Sequence, residues 1–413
     1  MTLEEMPAWA CVPFAALVAA IAILPAAAPR AWGHRWVHAL VAAAASVPVL
    51  ALYLAGGHAR DLVPAVTTYV SFAVTTGTLY VVASGVLLEG DLDPTPRTNV
   101  AFVVLGGVLA SLVGTTGASL LLVRPFLRAN EGRENRAHLV PFFILIVANA
   151  GGLLTPLGDP PLLVGYTIGV PFLWTLRLFP VWVLYVGTLA LALYVVDRRA
   201  HAGETPRRRR PGTPLRLRGA RNVALLLAVI PASLLPFGAR EGVLTAITLV
   251  SLAVTPRDVH VANRFAWGPI AEVSILFAGV FLTLAPVEAL LSARAHSLPF
   301  ARAWQLFWAS GTLSSILDSA PTYAAFAAIA RGLATGSDRI AGMTPVHLAA
   351  ISVGTVVMGA TTYVGNAPNL LVAAIARGER LRVPSFLRYA AFAFVAMLPA
   401  HLVTTLALVL LDR

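Results

Sequence analysis

Asp159 and Asp318 are the residues in this sequence whose settings most demand a chemical explanation. Of 19 acidic residues, only Asp159, Glu272, Glu288 and Asp318 fall within apolar segments or at their margins. Asp159 stands in the run Asn149-Ala150-Gly151-Gly152-Leu153-Leu154-Thr155-Pro156-Leu157-Gly158-Asp159-Pro160-Pro161, and Asp318 in Leu317-Asp318-Ser319-Ala320-Pro321-Thr322-Tyr323. Carboxylates, amide and hydroxyl oxygens and freed backbone carbonyls are the donors that hold a partly dehydrated cation. Na+ at Asp159 and Asp318 is therefore expected, and burial disfavours the charged carboxyl, so such a group can trade a proton for Na+. Asn149, Thr155, Gly158, Thr116, Ser319, Thr322, Thr362, Gly365, Asn366 and Asn369 complete the candidate binding set, being of suitable type and in the same broken segments.

The elements that must position these residues are interrupted ones. Proline removes a donor and clashes with the preceding turn, so no regular helix passes through Pro156, Pro160 and Pro161. In hydrocarbon such broken backbone survives only against protein or a wet cavity. A second stretch repeats the first: Gly152 to Leu163 aligns with Gly359 to Leu370 at a constant offset of 207 residues. Gly152, Thr155, Gly158, Pro161 and Leu163 recur as Gly359, Thr362, Gly365, Pro368 and Leu370, while Asp159 is replaced by Asn366. Paired Gly/Pro-interrupted segments in two halves point to a transporter binding site.

Composition agrees with a polytopic membrane protein. The chain is 58% hydrophobic and 12% charged, with mean hydropathy +0.79, against about 25% charged in soluble domains. Its +11 formal charge fits basic loops on one membrane face better than nucleic acid, which is not expected as a partner. The lone Cys11 excludes an intrachain disulfide. Spans are expected near 8–24, 37–55 and 65–88, then a re-entrant hairpin over 99–123, a broken helix over 139–172 and a span over 181–197. The Arg-rich stretch 201–221 reads as a linker. Beyond it the plan recurs: spans near 222–236, 241–256 and 269–286, a hairpin over 304–330, a broken helix over 345–376 and a span over 387–411. The expected fold is all-α, with two repeats, 1–200 and 222–413, each of five spans plus a hairpin. An odd span count per half makes the repeats inverted in topology. With the N-terminus outside, 22 of the 30 arginines face the cytoplasm, including the linker, as the positive-inside rule asks. Glu4 and Glu5 precede the first apolar run, which reads as a retained span rather than a cleaved signal.

Other polar residues have ordinary readings. Glu272 and Glu288 read as caps or interface carboxylates, Arg124 and Arg177 as side chains reaching the membrane edge, and His347 and His401 as packing residues.

Gly114-Thr115-Thr116-Gly117-Ala118-Ser119 with Arg124-Pro125, Asn149 to Pro161, Leu313 to Tyr323 and Gly359 to Asn369 together resemble the ion transporter superfamily. That superfamily groups NhaD-type sodium/proton antiporters, arsenite permeases and citrate or dicarboxylate transporters. Ser319 departs from it, standing where the resemblance leads one to expect Asn. The resemblance implies re-entrant hairpins facing interrupted helices, a homodimer, elevator-type movement and a bacterial plasma-membrane location. No cofactor is expected beyond Na+ or H+ as coupling ions, and the partners are the lipid bilayer and a small ion or anionic solute. Cation/proton antiport is the leading expectation. The alternative is ion-coupled transport of citrate, a dicarboxylate or an arsenite-like oxyanion, since half-helix N-termini can hold an anion without Arg. An intramembrane aspartyl protease also pairs two buried aspartates, but Pro156-Leu157-Gly158-Asp159 lacks the first glycine of its Gly-x-Gly-Asp run. The protein is not expected to be an enzyme.

Overall fold

A computed structural model describes residues 7–412 apart from 91–92, 203–215, 264, 295–296, 298, 300, 318, 335–336 and 380. Asp318 and most of the Arg-rich stretch therefore lie outside the described residues. Long apolar helices dominate. The first half runs α1 (Val12–Ala27), α2 (Arg35–Ala55), α3 (Val63–Ser84), α4 (Pro96–Val113), α5 (Thr115–Ala129), α6 (Leu139–Ile146), α7 (Pro160–Thr167) and α8 (Phe179–Ala202). The second runs α9 (Ala220–Ser233), α10 (Ala239–Val254), α11 (Gly268–Arg294), α12 (Ala303–Ile316), α13 (Ser319–Leu333), α14 (Pro345–Met358), α15 (Ala367–Gly378) and α16 (Phe386–Leu411). Six helical segments among the described residues are long and apolar enough to cross a bilayer, and several shorter apolar helices accompany them. The protein is an α-helical multi-pass membrane protein.

The interruptions fall where proline and glycine place them. α4 starts on a Thr95 cap, whose hydroxyl accepts from the Thr98 amide at 3.2 Å, with Pro96 at its first position. It ends at Gly114, whose φ of 85° and ψ of 148° suit glycine, and α5 leaves from that point. A Cβ on Gly158 would lie 2.0 Å from the Gly152 carbonyl oxygen, and one on Gly365 would lie 2.6 Å from that of Gly359. Each break is thus a loop folded back on itself, which any side chain at Gly158 or Gly365 would force apart.

The freed backbone groups find partners. The Gly151 carbonyl accepts from the Ser111 hydroxyl and, at 3.1 Å, from Trp182 Nε1. The Ala360 carbonyl accepts from Tyr389 at 2.7 Å. Thr155 donates to the Ser111 carbonyl, while Thr362 donates to that of Ser315 at 2.5 Å. The amides two residues on, Leu157 and Val364, return to those same hydroxyls at 3.2 and 3.1 Å. Thr155 and Thr362, 207 residues apart, therefore brace their loops in the same way.

Two expectations need correcting. The span expected to reach residue 88 stops at Ser84, and one short strand beside the helices, Leu87–Glu89, pairs antiparallel with Arg216–Arg218. Arg218, near the end of the Arg-rich stretch, bonds Asp258 and lies 3.6 Å from Glu89. His347 and His401, read as packing residues, both face polar partners. His347 lies 3.8 Å from Asp412, and His401 shares a 2.7 Å hydrogen bond with Tyr185.

Candidate functional site

Asp159 and Asn366 occupy the N-cap positions of α7 and α15 in extended backbone conformation, yet neither makes a side-chain capping bond. An N-cap carboxylate ordinarily accepts from the amide two or three positions on. Here those positions are Pro161, which has no N–H, and Leu162, whose N–H goes to the Asp159 carbonyl at 3.0 Å. Pro368 does the same beside Asn366, with the Asn369 amide bonded to the Asn366 carbonyl at 3.0 Å. Both side chains are therefore directed away from their own helices and meet each other. Asn366 Nδ2 donates to Asp159 Oδ1 at 3.0 Å and to Asn149 Oδ1 at 3.2 Å.

Asn149 and Asn369 complete the junction. Asn149 Nδ2 donates to Asn369 Oδ1 at 2.6 Å and to the Ile144 carbonyl at 2.9 Å. Asn369 Nδ2 donates to the carbonyls of Gly359 at 2.9 Å and Thr362 at 2.8 Å. Asp159, Asn149, Asn366 and Asn369 are each at most 1% exposed. The hydrogen bonds that these groups exchange offset much of the cost of burying them.

Thr115 donates to Asp159 Oδ1 at 2.8 Å, and its amide bonds the Gly158 carbonyl at 2.8 Å. The tip of the first hairpin is thereby fixed to the first break. Beside this junction lies a cleft of about 1060 Å³, counted to its mouth. Thr115 to Gly117, Pro156 to Pro160 and Asn366 to Pro368 line one side, and apolar residues of α3 and α11 the other, including Phe72, Leu79 and Phe277. Three helices, α5, α7 and α15, thus begin at one cleft. Each N-terminus carries roughly half a positive charge. The first-turn amides of Thr116, Gly117 and Ala367 have no partner within their own helices, whereas Pro160 and Pro161 leave α7 contributing its dipole without such donors.

Thr116, Gly158, Asp159 and Asn366 line the cleft, while Asn149 and Asn369 lie behind it. Thr155 and Thr362 brace the breaks, and Gly365 serves close packing. Ser319 and Thr322 are buried on the first turn of α13 and are not among the lining residues. Thr115 was missed. Its signal was the adjacent glycine, which aims the first residue of α5 rather than the second at Asp159. The aromatic wall from α3 and α11 carried no sequence signal distinct from lipid-facing apolar residues.

A family model described as "Putative citrate transport" (CitMHS_2) matches residues 3–409. The chain belongs to this family. No curated protein matches it. The citrate transport family is a transporter family, and its description narrows the resemblance to the citrate-transporter-like branch. It favours the organic-anion alternative and gives no support to NhaD-type antiport or arsenite permeation.

Proposed function

We propose that this protein is a secondary transporter of citrate or a related small carboxylate, coupled to Na+ or H+, and that the anion binds where α5, α7 and α15 begin. The observation that carries this is the convergence of three helix N-termini on one cleft in a chain of the citrate transport family. Helix N-termini favour negative charge and offer amides to carboxylate oxygens. Asp159 in the same cleft would repel such an anion, so the coupling cation neutralises it, as a bound proton or as Na+ held with neighbouring oxygens. Asp318, Ser319 and Thr322, on the second hairpin, are assigned to the coupling-ion site. The recurrence of one element order supports reading 1–200 and 222–413 as inverted repeats, with the N-terminus outside and the 201–221 stretch in the cytoplasm. A homodimer in a bacterial plasma membrane belongs to the same proposal.

The test is uptake of labelled citrate by proteoliposomes under imposed Na+ or H+ gradients. Gradient-dependent uptake that is lost in Asp159→Asn is expected. If citrate does not accumulate while added sodium collapses a preset pH gradient, the reading reverts to cation/proton antiport.

A further inference from the structure

A second cavity, of about 950 Å³, lies on the same helices as the central cleft but toward their other ends. Along α3 the central cleft is lined by Phe72, Thr76, Leu79 and Tyr80, and the second cavity by Pro64, Ala65, Thr67 and Thr68. Along α11 the corresponding sets are Ile270, Val273 and Phe277, then Phe281, Leu284 and Glu288. The α11 positions recur every three or four residues, so they form one face of the helix. α7 does likewise, presenting Pro160 and Leu163 to the cleft, and Val164 and Thr167 to the second cavity. Thr68 and Phe72 on α3, like Phe281 and Phe277 on α11, are four residues apart, so about 6 Å of helix separates the two spaces.

Three aromatic rings fill the interval. Phe72 stacks on Phe277, with centroids 4.8 Å apart and planes at 4°, and meets Phe281 at 5.6 Å. All three are buried. Phe72 and Phe277 face the central cleft and Phe281 the second cavity.

The second cavity also has charged walls, one group of each sign. Arg331 of α13 lines it together with Glu288 and the hydroxyl-bearing Thr67, Thr68 and Thr167. The guanidinium is held in place by backbone: Nε donates to the Ala341 carbonyl at 3.0 Å and Nη2 to that of Ile168 at 3.3 Å. A guanidinium fixed in this way presents its remaining N–H groups to a carboxylate in a preset geometry.

We infer that the two cavities are the ends of one translocation path, that Arg331 receives the carboxylate substrate in the second cavity, and that Phe72, Phe277 and Phe281 close the passage between them. The identity of the anion rests on the citrate reading above; the path and its barrier do not.

The single native cysteine makes this testable, because Cys11→Ala alone removes every thiol. In that background, single cysteines replace Thr76 in the cleft and Thr68 or Thr167 in the second cavity. Each is exposed to a membrane-impermeant charged thiol reagent in right-side-out and inside-out vesicles. Labelling of Thr76→Cys from one membrane face, and of Thr68→Cys and Thr167→Cys from the other, is expected. Adding Phe72→Ala, or the milder Phe277→Leu, makes Thr76→Cys reachable from both faces, in protein that still elutes as a single species. Labelling of all three from the same face, no labelling of the second-cavity positions, or unchanged sidedness in both phenylalanine variants overturns the path. Citrate should slow labelling of Thr167→Cys. With Arg331→Gln, roughly tenfold or more citrate should be needed, as expected for loss of a charged hydrogen bond. Equal protection with and without Arg331 overturns its role. Failure of citrate uptake with intact sidedness discards the substrate reading alone, and the converse result discards the path alone.

Discussion

Asn149 and Asn369 bridge the two broken helices, and removing them separately and together measures what that bridge contributes. In Asn369→Ala three hydrogen bonds disappear: one to Asn149 and two to the carbonyls of Gly359 and Thr362. Asn149→Ala also loses three, to Ile144, Asn369 and Asn366. Side-chain hydrogen bonds within membrane proteins average about 0.6 kcal/mol and reach about 1.7, so each single variant should lose roughly 2–5 kcal/mol of stability. The double variant should fall short of the sum, because the bond of Asn149 to Asn369 is counted in both singles. The expected shortfall is the worth of that one bond, about 0.6–1.7 kcal/mol. Reversible unfolding in mixed detergent micelles, followed by the near-ultraviolet signal of the tryptophans, reads all four corners of the cycle. Independent sites add to within about 0.3–0.5 kcal/mol. Additivity inside that margin would mean that the breaks are not energetically joined through this pair, and the junction would have to be redrawn.

The site and its supports yield further outcomes. Thr115→Val removes the hydroxyl that holds Asp159 while keeping the side-chain shape, so labelled-citrate uptake should fall by roughly tenfold or more, as for a hydrogen bond to a charged group; unchanged uptake in well-folded protein would remove Thr115 from the site. Gly158→Ala places a Cβ 2.0 Å from the Gly152 carbonyl oxygen, whereas at Gly187 a Cβ meets nothing within 4 Å. The former should therefore lose about 1–3 kcal/mol or more of stability, and Gly187→Ala, within a helix, should be no less stable than wild type; equal midpoints for the two would contradict the described loop. Outside the membrane, the hydrogen bond from Arg218 holds the Asp258 carboxyl below its usual range. A depressed carboxyl contributes stability above the unfolded-state value near 3.9, and that contribution is lost as pH falls through the lower folded value. Asp258→Asn should thus melt slightly below wild type at neutral pH and with it once the pH has dropped below the folded value, and a constant gap across that range would count against the pair.

The features that sequence reading located are those whose residue types are costly in an apolar setting. Pro156, Pro160 and Pro161 cannot continue a helix, and the helix does stop before them. Gly158 and Gly365 recur at one offset because both loops press backbone against backbone. The reading failed where identity carries no such cost. Leu87 to Glu89 is too short to signal a strand, and its partner lies in a run of arginines whose charge suggested only a loop. Thr115 and Thr116 have the same chemistry, and the choice between them depends on the backbone angles at Gly114. Phe72, Phe277 and Phe281 look like lipid-facing or core phenylalanines until α3 and α11 are seen side by side. Asn369 aligns with Leu162, so the repeat itself gave no reason to expect that an amide there would hold both breaks together.

Asp159 and Asn366 are aligned positions of the two halves, and they touch each other. Were both aspartate, two carboxylates would sit about 3.0 Å apart, a separation at which they cannot both ionise near neutral pH and one proton is trapped between them. An amide on one side removes that trapped proton and gives the remaining acid a donor that is present at every pH. The meeting point of the halves therefore holds one acidic group and one amide, so at most a single negative charge faces the cleft where the two broken helices meet.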